Sequence, residues 1–96
     1  MADLEIYPRE LRAERKGVSF DLSPREVKIL ELLHRHTGEA VSRDTLLNEC
    51  WSIDYFPESR TLDQHIAKLR QKIEDNPALP YYIETVHGVG YRFCAQ

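Results

Sequence analysis

No run of apolar residues approaches the ~18 needed to cross a bilayer, and the opening Met1-Ala2-Asp3 does not begin a secretory signal. Membrane and secreted classes are excluded on that ground, and a cytoplasmic location is expected. Cysteine is scarce. Cys50 and Cys94 share no CxxC spacing, so they are read as reduced thiols of a cytosolic protein, not as a disulfide. Glycine occurs only four times, and Gly88-Val89-Gly90 lacks the further glycine and following helix of a dinucleotide fingerprint. Neither GxSxG nor HExxH occurs, so no enzyme and no catalytic residue is expected. His34 and His36 lie two apart on a helix, point to different sides and cannot chelate together. Their place near a helix C-terminus, where positive charge is favourable, accounts for them. His65 and His87 would need an unproven convergence with a cysteine to bind zinc, so neither metal nor cofactor is expected.

What remains is a 96-residue chain, 42% apolar and 30% charged, which suits one soluble domain spanning 1–96. A net charge of −3 does not advertise a nucleic-acid binder. That average conceals a segregation. Residues 59–73 hold Arg60, Lys68, Arg70 and Lys72 against Asp63 alone, and residues 85–96 hold Arg92 and no acid. These stretches carry +3 and +1, while the other 69 residues carry −7. One pole is basic.

Alternating apolar and polar residues predict short strands at Leu4–Tyr7, Glu10–Glu14 and Val18–Leu22, with turns at Pro8 and Lys16-Gly17. Leu4, Ile6, Val18, Phe20 and Leu22 are expected on the inner face of this N-terminal sheet over 1–22. Three helices follow over 23–75. Ser23-Pro24-Arg25-Glu26 reads as a capping box with proline at the first helical position, and Gly38 ends that helix. A second helix starts at Ser42 and carries Leu46, Leu47, Cys50 and Trp51, the last expected in the core and not as a stacking platform. The third, Ser59 to about Glu74, spaces Leu62, Ile66, Leu69 and Ile73 on one narrow stripe. Residues 81–94 then form a glycine-turned β-hairpin.

With Leu62 at 0° and ~100° per residue, Arg60, Gln64, Ala67, Lys68 and Gln71 lie opposite the stripe. Thr61 and His65 flank it on one side, Asp63 and Arg70 on the other. Arginine and glutamine match guanine and adenine edges, while lysine and threonine serve phosphates, so this helix suits a major groove. An ordinary amphipathic surface helix accounts for the same pattern. Two preceding helices joined by a short turn, and a hairpin after with a basic, acid-free end, favour a helix-turn-helix whose last helix reads DNA.

Four runs carry a resemblance: Leu22-Ser23-Pro24-Arg25-Glu26, Ser42-Arg43-Asp44-Thr45-Leu46-Leu47, Ser59-Arg60-Thr61-Leu62-Asp63-Gln64-His65-Ile66 and Thr85-Val86-His87-Gly88-Val89-Gly90-Tyr91-Arg92-Phe93. From about residue 4 to 94 the chain resembles the effector domain of OmpR/PhoB response regulators. The resemblance implies an α+β fold, a winged helix-turn-helix with an N-terminal antiparallel sheet, a three-helix core and a C-terminal hairpin wing. It implies transcription control by sequence-specific binding of double-stranded DNA, with 59–74 in the major groove and 85–92 near the minor groove.

By position, the DNA-facing residues implied are Arg60, Thr61, Gln64, His65, Lys68 and Arg70 on the helix, and Thr85, His87 and Tyr91 on the wing. Asp63 matches an acidic position that organises neighbouring basic side chains. Ser52, Ile53, Asp54, Tyr55, Phe56, Pro57 and Glu58 match a loop linked to RNA polymerase contact. A receiver domain upstream, a sensor kinase, direct-repeat half-sites and a monomeric state off DNA are further implications. Three positions depart from the family pattern: Gln64 replaces a common aliphatic residue, Ala67 a basic or polar one, and His87 a common wing-tip arginine. The competing class is a winged helix that binds protein and not DNA.

Overall fold

The computed structural model describes residues 4–51 and 59–94. Strands β1 (Leu4–Tyr7), β2 (Arg12–Arg15) and β3 (Val18–Asp21) form an antiparallel meander in chain order. Ile6, Ala13 and Phe20 line up across it, and Ala13 is completely buried. The Lys16-Gly17 turn has positive φ at both residues, +52° and +80°, as a two-residue hairpin loop requires. Two expectations need correction. The middle strand begins at Arg12, because Pro8–Glu10 winds into a 3-10 turn and Leu11 follows with φ +51°. Val18 pairs with Arg15, which is opposite Leu4, so it has the inward side of the pleat, yet it is 64% exposed. Alternation assigns a face but does not say how far the core extends beneath it.

Helix α1 (Pro24–Arg35) starts as its sequence specifies. Ser23 Oγ accepts from the Glu26 N–H at 3.1 Å, and Glu26 Oε1 accepts from the Ser23 N–H at 2.7 Å. Gly38 leaves the helix region with φ +86°. A short strand, β4 (Ala40–Ser42), comes next, and Ser42 then caps α2 (Arg43–Cys50) by accepting from the Thr45 N–H at 3.0 Å. Trp51 sits one residue past that helix and is buried, as expected.

Helix α3 (Ser59–Ile73) buries its whole stripe, with Leu62, Ile66, Leu69 and Ile73 all at 0% exposure. They meet Ile29, Leu30 and Leu33 of α1, Leu46 of α2, and Ile83 and Phe93 of the hairpin in one core. Strands β5 (Ile83–Val86) and β6 (Gly90–Phe93) make that hairpin, and β6 also pairs with β4, so the sheet order is β4-β6-β5. The sequence shows no sign of β4, because three residues gain strand character only from their partner.

Two buried carboxylates tie the helices to their surroundings. Glu26 receives Lys72 Nζ at 2.7 Å, and the same ammonium donates to the Asp21 carbonyl at 3.0 Å. Burial pushes the Glu26 carboxyl up, but the bonds from Lys72 and Ser23 outweigh it and hold it below the ordinary range. Glu74, just past α3, accepts from the backbone N–H groups of Tyr81, Tyr82 and Ile83 at 2.7–3.1 Å. One side chain thereby anchors the start of the hairpin to the end of α3.

Candidate nucleic-acid interface

Burying one stripe of α3 turns the other side outward. Arg60, Gln64, Ala67, Lys68 and Gln71 are all exposed, so the face opposite the core presents two cations and two amides. Thr61 is half-buried at the flank, and its carbonyl accepts from His65 Nδ1 at 2.8 Å. His65 also sets its ring edge-on to Trp51, with centroids 5.2 Å apart. It is therefore a half-buried member of the flank and not a free outer side chain.

On the other flank the side chains engage one another. Arg70 donates to the Ile83 carbonyl through Nε at 3.1 Å and Nη2 at 2.8 Å, and Nη2 also reaches Thr85 Oγ1 at 2.9 Å. Arg70 and Thr85, both expected to face DNA, thus clamp α3 to the wing. Tyr91 is 4% exposed and donates its hydroxyl hydrogen to Asp63. Asp63 also receives Arg43 Nε at 3.2 Å, and the guanidinium carbons of Arg43 and Arg70 lie 5.3 and 5.5 Å from the Tyr91 ring centroid. Burial and the bond to Asp63 push the Tyr91 phenol up to about 12. Asp63 therefore holds one basic neighbour, Arg43, together with the Tyr91 hydroxyl. Arg43 was not singled out from the sequence. Only its place after the Ser42 cap marked it, and nothing local revealed a partner twenty residues away.

The wing tip is open. The Val89 N–H bonds the Val86 carbonyl at 3.0 Å, and Gly88 holds φ +80° at the third position of that turn, where a type II turn needs glycine. His87 beside it is exposed. Gly90 at the wing root plays a different part. A β-carbon there would lie 2.1 Å from the Val41 carbonyl oxygen and 2.9 Å from the Arg43 nitrogen, so only glycine lets β6 come this close. The Arg43 N–H also bonds the Val89 carbonyl at 3.2 Å.

The basic pole is smaller than the residue count suggests. Lys72 is paired with Glu26, and Arg92 Nη2 meets Glu84 Oε1 at 2.6 Å across the hairpin. Residues 52–58, assigned to the polymerase loop, lie outside the described residues. Among the described residues no group of histidine, cysteine, aspartate and glutamate could hold a metal ion, and no helix is long and apolar enough to cross a membrane.

Residues 17–93 match the family described as "Transcriptional regulatory protein, C terminal". The alkaline phosphatase synthesis transcriptional regulatory protein SphR of Synechococcus elongatus is 46% identical over 89 residues, which cover 93% of this chain and 35% of that protein. The chain thus spans about a third of that relative's length. The response regulator DrrB of Thermotoga maritima, an OmpR/PhoB homologue, superimposes with a TM-score of 0.87 at 35% identity, covering 97% of this chain and 42% of that one. The RstA DNA-binding domain of Klebsiella pneumoniae, solved in complex with the RstA box, gives a TM-score of 0.82 at 34% identity, covering 96% and 91%. A family match over most of the chain, joined to this fold at this level of identity, leaves one assignment: the chain belongs to the transcriptional regulatory protein C-terminal family, the winged-helix DNA-binding effector domains of OmpR/PhoB response regulators.

Proposed function

We propose that residues 1–96 act as one winged-helix unit that docks on duplex DNA with α3 in the major groove and the wing tip at the adjacent minor groove. The carrying observation is the division of α3 into a completely buried stripe and an exposed face of Arg60, Gln64, Lys68 and Gln71. Arg60, Gln64 and Lys68 take the direct contacts, with Thr61 and His65 at the flanking backbone and His87 at the wing tip. Arg70, Thr85 and Tyr91 are already bonded within the protein, so they set the angle between helix and wing; Arg70 and Thr85 keep donors for phosphate, while the single O–H of Tyr91 is taken by Asp63.

The full regulator works in the cytoplasm, carries a receiver upstream and answers to a sensor kinase. Residues 52–58 contact RNA polymerase. Without the receiver the chain is monomeric off DNA and gains avidity only on adjacent direct-repeat half-sites. A stable dimer in sedimentation without DNA would contradict that.

The test of docking is a pair of substitutions, Arg60→Ala and Lys68→Ala. Neither opens a cavity, so both should fold. A residue paired bidentately with a base should cost ~1–3 kcal/mol and relax specificity at one position. A phosphate contact should weaken all duplexes alike and lower the salt slope by about one. Unchanged binding in both variants sinks the assignment, and a wild-type chain whose affinity ignores salt favours the protein-binding alternative.

A further inference from the structure

Arg25 lies outside the residues assigned above to DNA, yet its surroundings give it the same chemistry. It sits half-buried in the first turn of α1, with its guanidinium carbon 4.5 Å from the centroid of the Trp51 ring. Trp51 in turn meets the edge of His65 on α3. One residue along, Glu26 holds Lys72 of the same helix. The first turn of α1 is therefore held to one flank of α3, directly at Lys72 and through Trp51 at His65. Lys68, three residues after His65 and four before Lys72, stands at the edge of the outer face next to that flank.

Arg25 and Lys68 thereby bring two cations to one strip of surface. Among the described residues neither has a carboxylate partner. Stacking on an indole face orients a guanidinium without neutralising it and leaves its N–H fork for a ligand.

We propose that Arg25 is a phosphate-binding residue: its guanidinium, oriented by Trp51, donates to the backbone of the DNA strand that runs past Lys68. The proposal rests on the docking of α3 proposed above and extends the interface to α1. Its ligand is the phosphodiester and not a base edge. Arg25 stands beside α3 and not on its outer face, so its contact carries no sequence information.

Two variants separate charge from packing. Arg25→Met keeps an unbranched stem for Trp51 and removes the cation, while Arg25→Lys keeps the cation and loses the planar stack. Binding is measured across a salt series to a labelled mixed-sequence duplex of about 30 base pairs, roughly three helical turns. Arg25→Met should lower the slope of log K against log salt by about 0.9 and weaken binding about eightfold near 0.1 M salt. Arg25→Lys should recover most of the slope, and unfolding temperatures should stay together. Should Arg25→Met leave slope and affinity unchanged while Lys68→Ala weakens binding, docking stands and the Arg25 contact is wrong. Weaker binding with an unchanged slope and a lowered unfolding temperature makes Arg25 a packing residue and overturns the proposal. If the wild-type chain binds no duplex, docking and this inference fall together.

Discussion

One β-carbon decides how differently the two wing glycines tolerate change. At Gly90 an added methyl meets backbone on β4 and α2, which cannot swing aside as a side chain does. Gly90→Ala should therefore cost about 3 kcal/mol or more, the upper end of overpacking losses. Gly88→Ala meets open space and bears only the strain of positive φ, about 1–2 kcal/mol. Denaturant unfolding of the two variants gives the comparison, and equal losses would show that the root contact is not rigid. Tyr91 offers a second residue-scale test. Its phenol stays protonated to about pH 12 in the fold, against 10.0 ordinarily, so the folded chain binds more protons than the unfolded one between those values. Stability must then fall as pH rises from about 10 to about 12. Burial pushes the Cys50 thiol up to about 11 from 9.0, which starts the same decline earlier. Tyr91→Phe should flatten the upper part of the profile and Cys50→Ala the lower part. A profile that keeps its shape in Tyr91→Phe would locate the alkaline loss elsewhere.

At the scale of elements, the helices depend on one another through few contacts. Ile66→Ala should cost ~2–5 kcal/mol, because it empties the centre of a stripe packed from three sides. The Glu26–Lys72 bridge predicts an acid response. A carboxylate held below its ordinary value stabilises the fold above that ordinary value and loses the contribution as pH falls through the lowered one. In Lys72→Met the bond that lowers Glu26 is gone, so acid unfolding should begin at higher pH. An unmoved acid midpoint, followed by circular dichroism, would mean the bridge does not hold the carboxyl down. Helix α1 was legible because its signals are local: cap, proline and Glu26 lie within four residues. The stripe of α3 was equally legible, since periodicity is a property of one segment. Strand β4, the Glu74 anchor and the Arg70–Thr85 clamp were not, because each depends on a partner that only the folded chain brings near. The same limit explains the candidate site. Periodicity marked the outer face of α3, but the resemblance that placed Arg70, Thr85 and Tyr91 beside DNA did not show that Arg70 holds Thr85 and Tyr91 holds Asp63.

For the whole molecule, paired charges matter more than counted ones. With Lys72 and Arg92 matched by Glu26 and Glu84, the cations left toward DNA are few, so the salt slope of a single half-site should be shallow. Substituting His87→Arg should tighten duplex binding near neutral pH, since arginine keeps its charge there and suits a narrow minor groove. No change in that variant would mean the wing tip does not approach DNA. The contrast between the fastened root of the wing and its open tip bears on how such regulators diverge. At the root, Gly90 abuts Val41 and Arg43, and a change there is felt through three elements. At the tip, His87 and Val89 are exposed around a turn fixed by its own backbone bond, so the residues proposed to lie nearest the groove are those on which folding makes least demand. Duplicated copies of this domain could therefore acquire new operators by drift at the wing tip and the outer face of α3, with no compensating change in the core.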